Sequence, residues 1–218
     1  MALTAYALTT VDLAKAAAGV TSSSYDTLFE SLVNRVSAAV SAHCNRIFLR
    51  QMYDEWYSPT PRQYLLLRQA PIWTVTSIAR DGTLLVQDTD YQLFDNDLTA
   101  GMIFSEFAWP GTVLVHGVGN DPVATTRNYE VVYEAGWYLP QNAGMYVAGN
   151  PDSLPLEVSD VVEQIVFQRY LRVIGESIGA DSTSEGQEST TWASDGSMQA
   201  LIRQHAADLK RFVRPVIL

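Results

Sequence analysis

Residues 65–82, LLLRQAPIWTVTSIARDG, constrain the chain more than any other stretch. A short apolar run is followed by Pro71, a second apolar run over 72–78 and the dipeptide Asp81-Gly82. The period of two puts Trp73, Val75 and Ser77 on one face and Ile72, Thr74, Thr76 and Ile78 on the other. Branched and aromatic residues suit a pleated surface, and Asp-Gly suits a tight hairpin turn. The pattern on either side has a different period. A β module set between helical ends follows, an arrangement with no obvious active site.

Toward the N-terminus, Thr10 can cap a helix over 11–18 that Gly19 stops. The run Ser22, Ser23 and Ser24 then caps a longer helix over 25–44. Its stripe is Leu28, Leu32, Val36, Val40 and Cys44, with Val33, Ala39 and Ile47 beside it. Beyond it, strands are expected at 52–57, 64–67, 72–78, 83–86, 91–94, 101–104, 112–116 and 129–133. A turn lies at 95–97, and a Gly/Asn/Asp/Thr-rich loop covers 117–127. Residues 140–151 form a connector. Pro155 opens a helix to about 174 with the broad apolar face Val158, Val161, Val162, Ile165, Val166 and Ile174, which Gly175 can end. A last helix over 198–213 carries Met198, Leu201, Ile202, His205, Leu209 and Phe212.

The expected fold class is therefore α+β, a helical bundle built from the N- and C-terminal segments with a central inserted antiparallel β module. The divisions are 1–50 (N-terminal helical part), 51–139 (β module), 140–176 (long bundle helix), 177–196 (mobile polar loop) and 197–218 (last helix and extended tail). Within the polar loop, 181–191 reads DSTSEGQESTT without an apolar residue. Trp192 follows as an aromatic anchor, for a partner or for its own subunit.

Composition narrows the function. The chain has 14 basic against 24 acidic residues, a net charge of −10. A duplex-binding surface needs the opposite sign to displace counterions from phosphates. Only 17% of residues are charged and 47% are hydrophobic, which leans toward large buried subunit interfaces. One cysteine, Cys44, excludes an intramolecular disulfide and a cysteine zinc cluster. Neither a signal peptide nor a membrane span is expected, so synthesis in a cytosol-like compartment follows.

Chemistry-bearing motifs are scarce. His43, His116 and His205 fall in separate elements, with no pair at helical zinc spacing. Gly117-Val118-Gly119 matches neither a dinucleotide fingerprint nor a P-loop. Asp88, Asp90, Asp95 and Asp97 lack the glycine and glutamate of a calcium loop. Carboxylate pairs for glycosidase chemistry could be assembled from Asp54, Glu55 or Glu106, but the separation that chemistry demands is not set by sequence. No catalytic, cofactor or metal residue is assigned, no cofactor is expected, and the chain is read as a non-enzyme.

Taken in order, the elements resemble the head–tail connector (adaptor) family of long-tailed phages and gene transfer particles. The likeness rests on residues 8–13 (LTTVDL), on 43–48 (HCNRIF) with its Arg-x-Phe, and on Glu55-Trp56-Tyr57. It continues through Leu65-Leu66-Leu67 with Pro71-Ile72, Asp81-Gly82, Asp90-Tyr91, and 133–137 (YEAGW) with Pro140. It spans residues 8–174. The loops at 117–127 and 141–153 are longer than a minimal member's, and nothing after Gly175 matches.

The resemblance implies a virion protein, made in the host cytoplasm, in a ring of twelve subunits beneath the portal. Such a ring extends the DNA channel, lets DNA pass without specific binding and offers a platform for the stopper or tail. No membrane is involved. The segment Arg211, Phe212, Arg214, Val216, Ile217 and Leu218, with Trp192, is the candidate portal contact; equally, that tail can cover its own last helix. The alternatives are a stopper or tail-terminator ring protein and, more distantly, a carbohydrate-binding β module using Trp56, Trp73, Trp109 and Trp137.

Overall fold

A computed structural model describes residues 2–58, 62–106, 109, 128–142, 144–178, 182–185, 188–191 and 197–214. It contains two compact units, one formed by residues 1–49 with 137–218 and the other by 50–136. Helices at both ends of the chain flank a central antiparallel sheet, the α+β arrangement expected.

In the first unit, α1 (Val11–Ala17) starts at Thr10, whose hydroxyl accepts from the Leu13 N–H, and α2 spans Asp26–Cys44. Asn45 ends α2 in the left-handed conformation (φ 50°), a cap position that asparagine tolerates. The buried face of α2 is Phe29, Leu32, Val33, Val36, Ser37, Val40 and Cys44. The stripe is as read except at its start, where Phe29 replaces Leu28 as the buried residue, at Ala39, which is half-buried while Ser37 is buried, and at Ile47, which is exposed.

Helix α4 (Leu156–Ile178) packs along α2 with Val158, Val161, Val162, Ile165, Val166 and Tyr170 buried. It runs three residues past Gly175, since an interior glycine costs a helix only about 1 kcal/mol. The expected last helix is broken at His205 into α5 (Met198–Gln204) and α6 (Ala206–Leu209), followed by a 3₁₀ turn, Lys210–Phe212. The polar stretch read as a loop contains paired strands, β7 (Ser182–Glu185) and β8 (Glu188–Thr191). Thr183, Thr190 and Thr191 supply the β-branched character that a reading based on hydrophobicity overlooked.

The second unit holds a four-stranded sheet in the order β1-β6-β3-β4, with β1 Gln51–Tyr57, β3 Ile72–Arg80, β4 Thr83–Leu84 and β6 Tyr129–Ala135. A two-stranded ribbon pairs β2 (Tyr64–Leu66) with β5 (Met102–Phe104). Strand β6 alternates cleanly, with Tyr129, Val131, Tyr133 and Ala135 buried and Glu130, Val132 and Glu134 partly exposed.

Strand β3 does not keep the period of two. Its residues 72–78 lie opposite 131–135 of β6, with register shifts between Ile72 and Thr74 and between Val75 and Ser77. Each bulge inserts one residue. Ile72, Val75 and Ile78 therefore face Ala135, Tyr133 and Val131 and join the core at steps of three. Val75 is thus on the opposite face from the one the sequence suggested.

The stretch 91–94 is not a strand but makes isolated bridges at Tyr91 and Gln92, and the expected turn at 95–97 begins α3 (Asp95–Ala100). Two first-turn aspartates suit a helix N-terminus, and Gly101 (φ 80°) ends the helix. The expected strand at 112–116 and loop at 117–127, with His116, lie outside the described residues.

The β3–β4 hairpin turns at Asp81 (φ 50°) and Gly82 (φ 80°), both left-handed, as the Asp-Gly signal anticipates. A Cβ at Gly82 would meet nothing within 4 Å, so its substitution tests backbone strain alone. Gly82→Ala is expected to lower stability by about 1 kcal/mol without changing the fold, measured as a shift of the urea midpoint at constant slope.

Candidate functional site

Among the described residues no group of three or more histidines, cysteines or carboxylates is placed to hold a metal ion. His43 is exposed, and His205 Nδ1 lies 3.6 Å from Asp208 on the same helical segment. Burial pushes the Cys44 thiol up to about 11, partly offset by the nearby charge of Arg46, so it is a packing group and not a nucleophile.

The densest polar cluster is structural. The hydroxyls of Tyr57 and Tyr133 both donate to Glu55 Oε2, the second at 2.7 Å, and lie 3.3 Å from each other. In turn they accept from the backbone N–H groups of Arg68 (3.0 Å) and Gln69 (3.2 Å), just before the cis Ala70–Pro71 bond. The Arg68 guanidinium lies 3.6 Å from Glu55 and over the Tyr57 ring. Burial first, with help from the Glu55 carboxylate, pushes both phenols well above their ordinary range; their mutual contact adds to the rise at Tyr133 and offsets part of it at Tyr57. They stay neutral donors, and the cluster fastens the segment between β2 and β3 to strands β1 and β6. Tyr133→Phe keeps the stack on Tyr53 but removes one donor and one acceptor. A loss of about 1–3 kcal/mol is expected by urea unfolding.

In the helical unit, the buried Thr9 donates to Glu163 Oε1 at 2.7 Å, and Leu8 N–H donates to Ser37 Oγ at 3.0 Å. These bonds dock the entry to α1 on α4 and α2. Burial raises the Glu163 carboxyl, the Thr9 bond offsets part of this, and Asp160 adds to the rise. A raised folded value means that the folded state holds this proton more tightly than the unfolded chain. The associated penalty is full at neutral pH and fades as pH falls through the folded value toward 4.5. Glu163→Gln is accordingly expected to raise the melting temperature at pH 7, with the difference shrinking toward pH 4.5 in a series of thermal scans.

The predicted partner-contact residues divide. Arg211 is exposed and pairs with Glu157 in the first turn of α4, where hydrogen bonding at the helix N-terminus, and then Arg211, hold that carboxyl below its ordinary range. Phe212 is buried against Phe48 and Trp137, whose rings stack on each other at 5.7 Å with Arg46 over both. Its apolar surface is spent inside its own chain and is not an outward anchor. Arg214 is half-buried, and its N–H donates to the Cys44 carbonyl at 3.0 Å. Val216, Ile217, Leu218 and Trp192 lie outside the described residues.

Of the tryptophans considered for sugar stacking, Trp109 and Trp137 are buried. Trp73 is half-buried, donates to the Gly136 carbonyl and lies under Arg50, so only Trp56 is exposed. The described residues thus hold no tryptophan platform of the kind that reading needs.

Sequence reading missed the surface that stands out most. On the β2–β5 ribbon, Leu65 and Ile103 point into the core, which turns Tyr64, Leu66, Met102 and Phe104 outward. Tyr64 and Phe94 contact Phe104 from either side, with ring centres 5.3 and 5.9 Å apart. Tyr64 remains 45% exposed and Phe94 49%. The clue was the alternation itself. In a three-residue strand with an apolar residue at every position, one face must stay uncovered unless another layer lies over it.

No family model matches this chain, and no curated protein matches it in sequence. Solved structures do. A chain in the neck of an empty gene transfer agent (GTA) particle, computed with C6 symmetry, aligns over 100% of this chain and 95% of that one. Its TM-score is 0.51 at 15% identity. A chain in the neck of the native particle, computed with C12 symmetry, gives 0.49 at 15% identity over 100% and 94%. One in the virion of the native particle gives 0.49 at 15% identity over 100% and 95%. At this identity the likeness to the empty-particle neck chain is one of fold, and it runs the length of both chains.

Proposed function

We propose that this chain is a structural component of a virion neck, a head–tail connector (adaptor) that assembles as a ring beneath the portal. The observation that carries this reading is the fold shared with a neck component over 100% of this chain and 95% of the other. The order of elements in the sequence points the same way. Six-fold symmetry in the neck of that particle is compatible with the expected twelve subunits, since a twelve-fold ring contains six-fold symmetry. A net charge of −10 suits a channel that DNA passes without adhering. The long helices α2 and α4 favour an adaptor over a stopper or tail terminator, which are expected to be smaller and mostly β.

Purified protein is expected to bind DNA-filled heads that carry a portal but lack tails, adding a ring at one vertex in negative-stain images. Binding to isolated tails alone would move the chain to the stopper side of the neck, and binding to neither would end the neck reading.

Within this reading the portal contact belongs to Val216, Ile217 and Leu218, with Trp192 as a second anchor, because Phe212 is spent on internal packing. Deleting residues 215–218 leaves Phe212 and Arg214 in place. It is expected to weaken head binding about tenfold or more with an unchanged melting temperature. Undiminished binding would remove the tail from the portal contact.

A further inference from the structure

We propose that the break at His205 is a hinge, on which α5 lifts from α2 during ring assembly and continues α6 as one straight helix. The assembly step rests on the connector reading; the hinge itself does not.

Nothing in the local sequence calls for a break. Residues 198–212, MQALIRQHAADLKRF, are mostly alanine, leucine, glutamine, arginine and lysine, all strong helix formers. Ser197 caps the start, its hydroxyl accepting from the Ala200 N–H at 3.2 Å. Met198, Ile202, His205, Leu209 and Phe212 follow at steps of four and three, the spacing of one face of an unbroken helix. Sharp kinks usually need proline, glycine or serine, and 198–212 contains none of them. Yet His205 adopts φ −100° and ψ 13°, and its N–H donates to the carbonyl of Ile202, three residues back instead of four. Residues 210–212 tighten into a 3₁₀ turn, a further mark of a helix under strain.

The break is imposed by packing. Helix α5 lies on α2 and α6 on α4, so the break lets one apolar stripe follow two supports. A local preference overridden by tertiary contacts is expected where a protein works. The two halves are not held equally. Past the break, Leu209 is buried, Phe212 packs on Phe48 and Trp137, Arg211 pairs with Glu157, and the Arg214 N–H donates to the Cys44 carbonyl. Helix α5 buries Ile202, with Met198 and Leu201 only half-buried. It is therefore the half that moves. In the free chain α2 covers Ile202, which keeps the bend. In a ring, cover from a neighbouring copy passes the balance to the straight helix.

Spin labels on cysteines placed at Gln199 and Lys210, both exposed, read the hinge, since the native Cys44 is buried and takes no label. Between these positions an unbroken helix rises about 16 Å, and the bend shortens that separation. The free wild-type chain is expected to give the shorter separation, and the chain ringed on tailless heads the longer. Ile202→Ala removes the hold on α2 without lowering helix propensity, so in the free chain it is expected to shift the separation toward about 16 Å. His205→Ala and His205→Gly remove the same imidazole and differ chiefly in backbone preference. The alanine variant is expected to ring on heads at about threefold lower concentration than the glycine variant. Circular dichroism reports the folding of each.

An unchanged separation in ringed chains, no shift in Ile202→Ala, or equal ringing by the two folded His205 variants would each overturn the hinge and leave the connector reading in place. A wild-type chain that never rings on heads would overturn the connector reading and the assembly step, with the free Ile202→Ala separation still deciding the hinge.

Discussion

Strand β6 is the constraint on which the second unit depends. It is the last strand of that unit in the chain, yet it lies between β1 and β3 and supplies Tyr129, Val131, Tyr133 and Ala135 to the core. Trp109 meets the Tyr129 ring edge-on, Tyr53 stacks on Tyr133, and the Tyr133 hydroxyl ties Glu55 to the Gln69 backbone. A one-residue slip of β6 would exchange these four side chains for Glu130, Val132 and Glu134 and bury two carboxylates, at a cost no sheet of this size can absorb. Strict alternation in β6 is what allows β3 to be irregular. The two bulges in β3 have a fixed partner to be measured against.

Elements defined by their own periodicity were legible in the sequence, and those defined by a partner were not. Helix α2 was readable because its four-residue recurrence is local, but its expected serine cap was not: Ser22 caps a 3₁₀ turn, Ser23–Tyr25, and Tyr25 at the start of α2 makes no side-chain capping bond. The Asp81-Gly82 turn was readable because its left-handed backbone admits few residue types. The facing of Val75 was not, since a bulge is a property of the pairing with β6. Nor was the break at His205, or the start of α3 where acidic turn residues stood. The serine and threonine pairing of β7 with β8 was hidden for a related reason, since no hydrophobic pattern marks it.

The candidate contact surface shows the same division. Arg211, Phe212 and Arg214 were singled out by their place near the end of the chain and by charge contrast. The structure separates them into an exposed ion pair, a packed ring and a backbone anchor. The face formed by Tyr64, Leu66, Phe94 and Phe104 escaped notice because its residues belong to three segments that β2–β5 pairing and α3 bring together.

The Phe48, Trp137 and Phe212 cluster and the bond from Arg214 to Cys44 also join residues 212–214 to the end of α2. A segment held both by a packed ring and by a backbone carbonyl cannot be lifted away without exposing Phe48 and Trp137 as well. Loosening residues 212–214 and opening the core around Phe48 are therefore one event and not two.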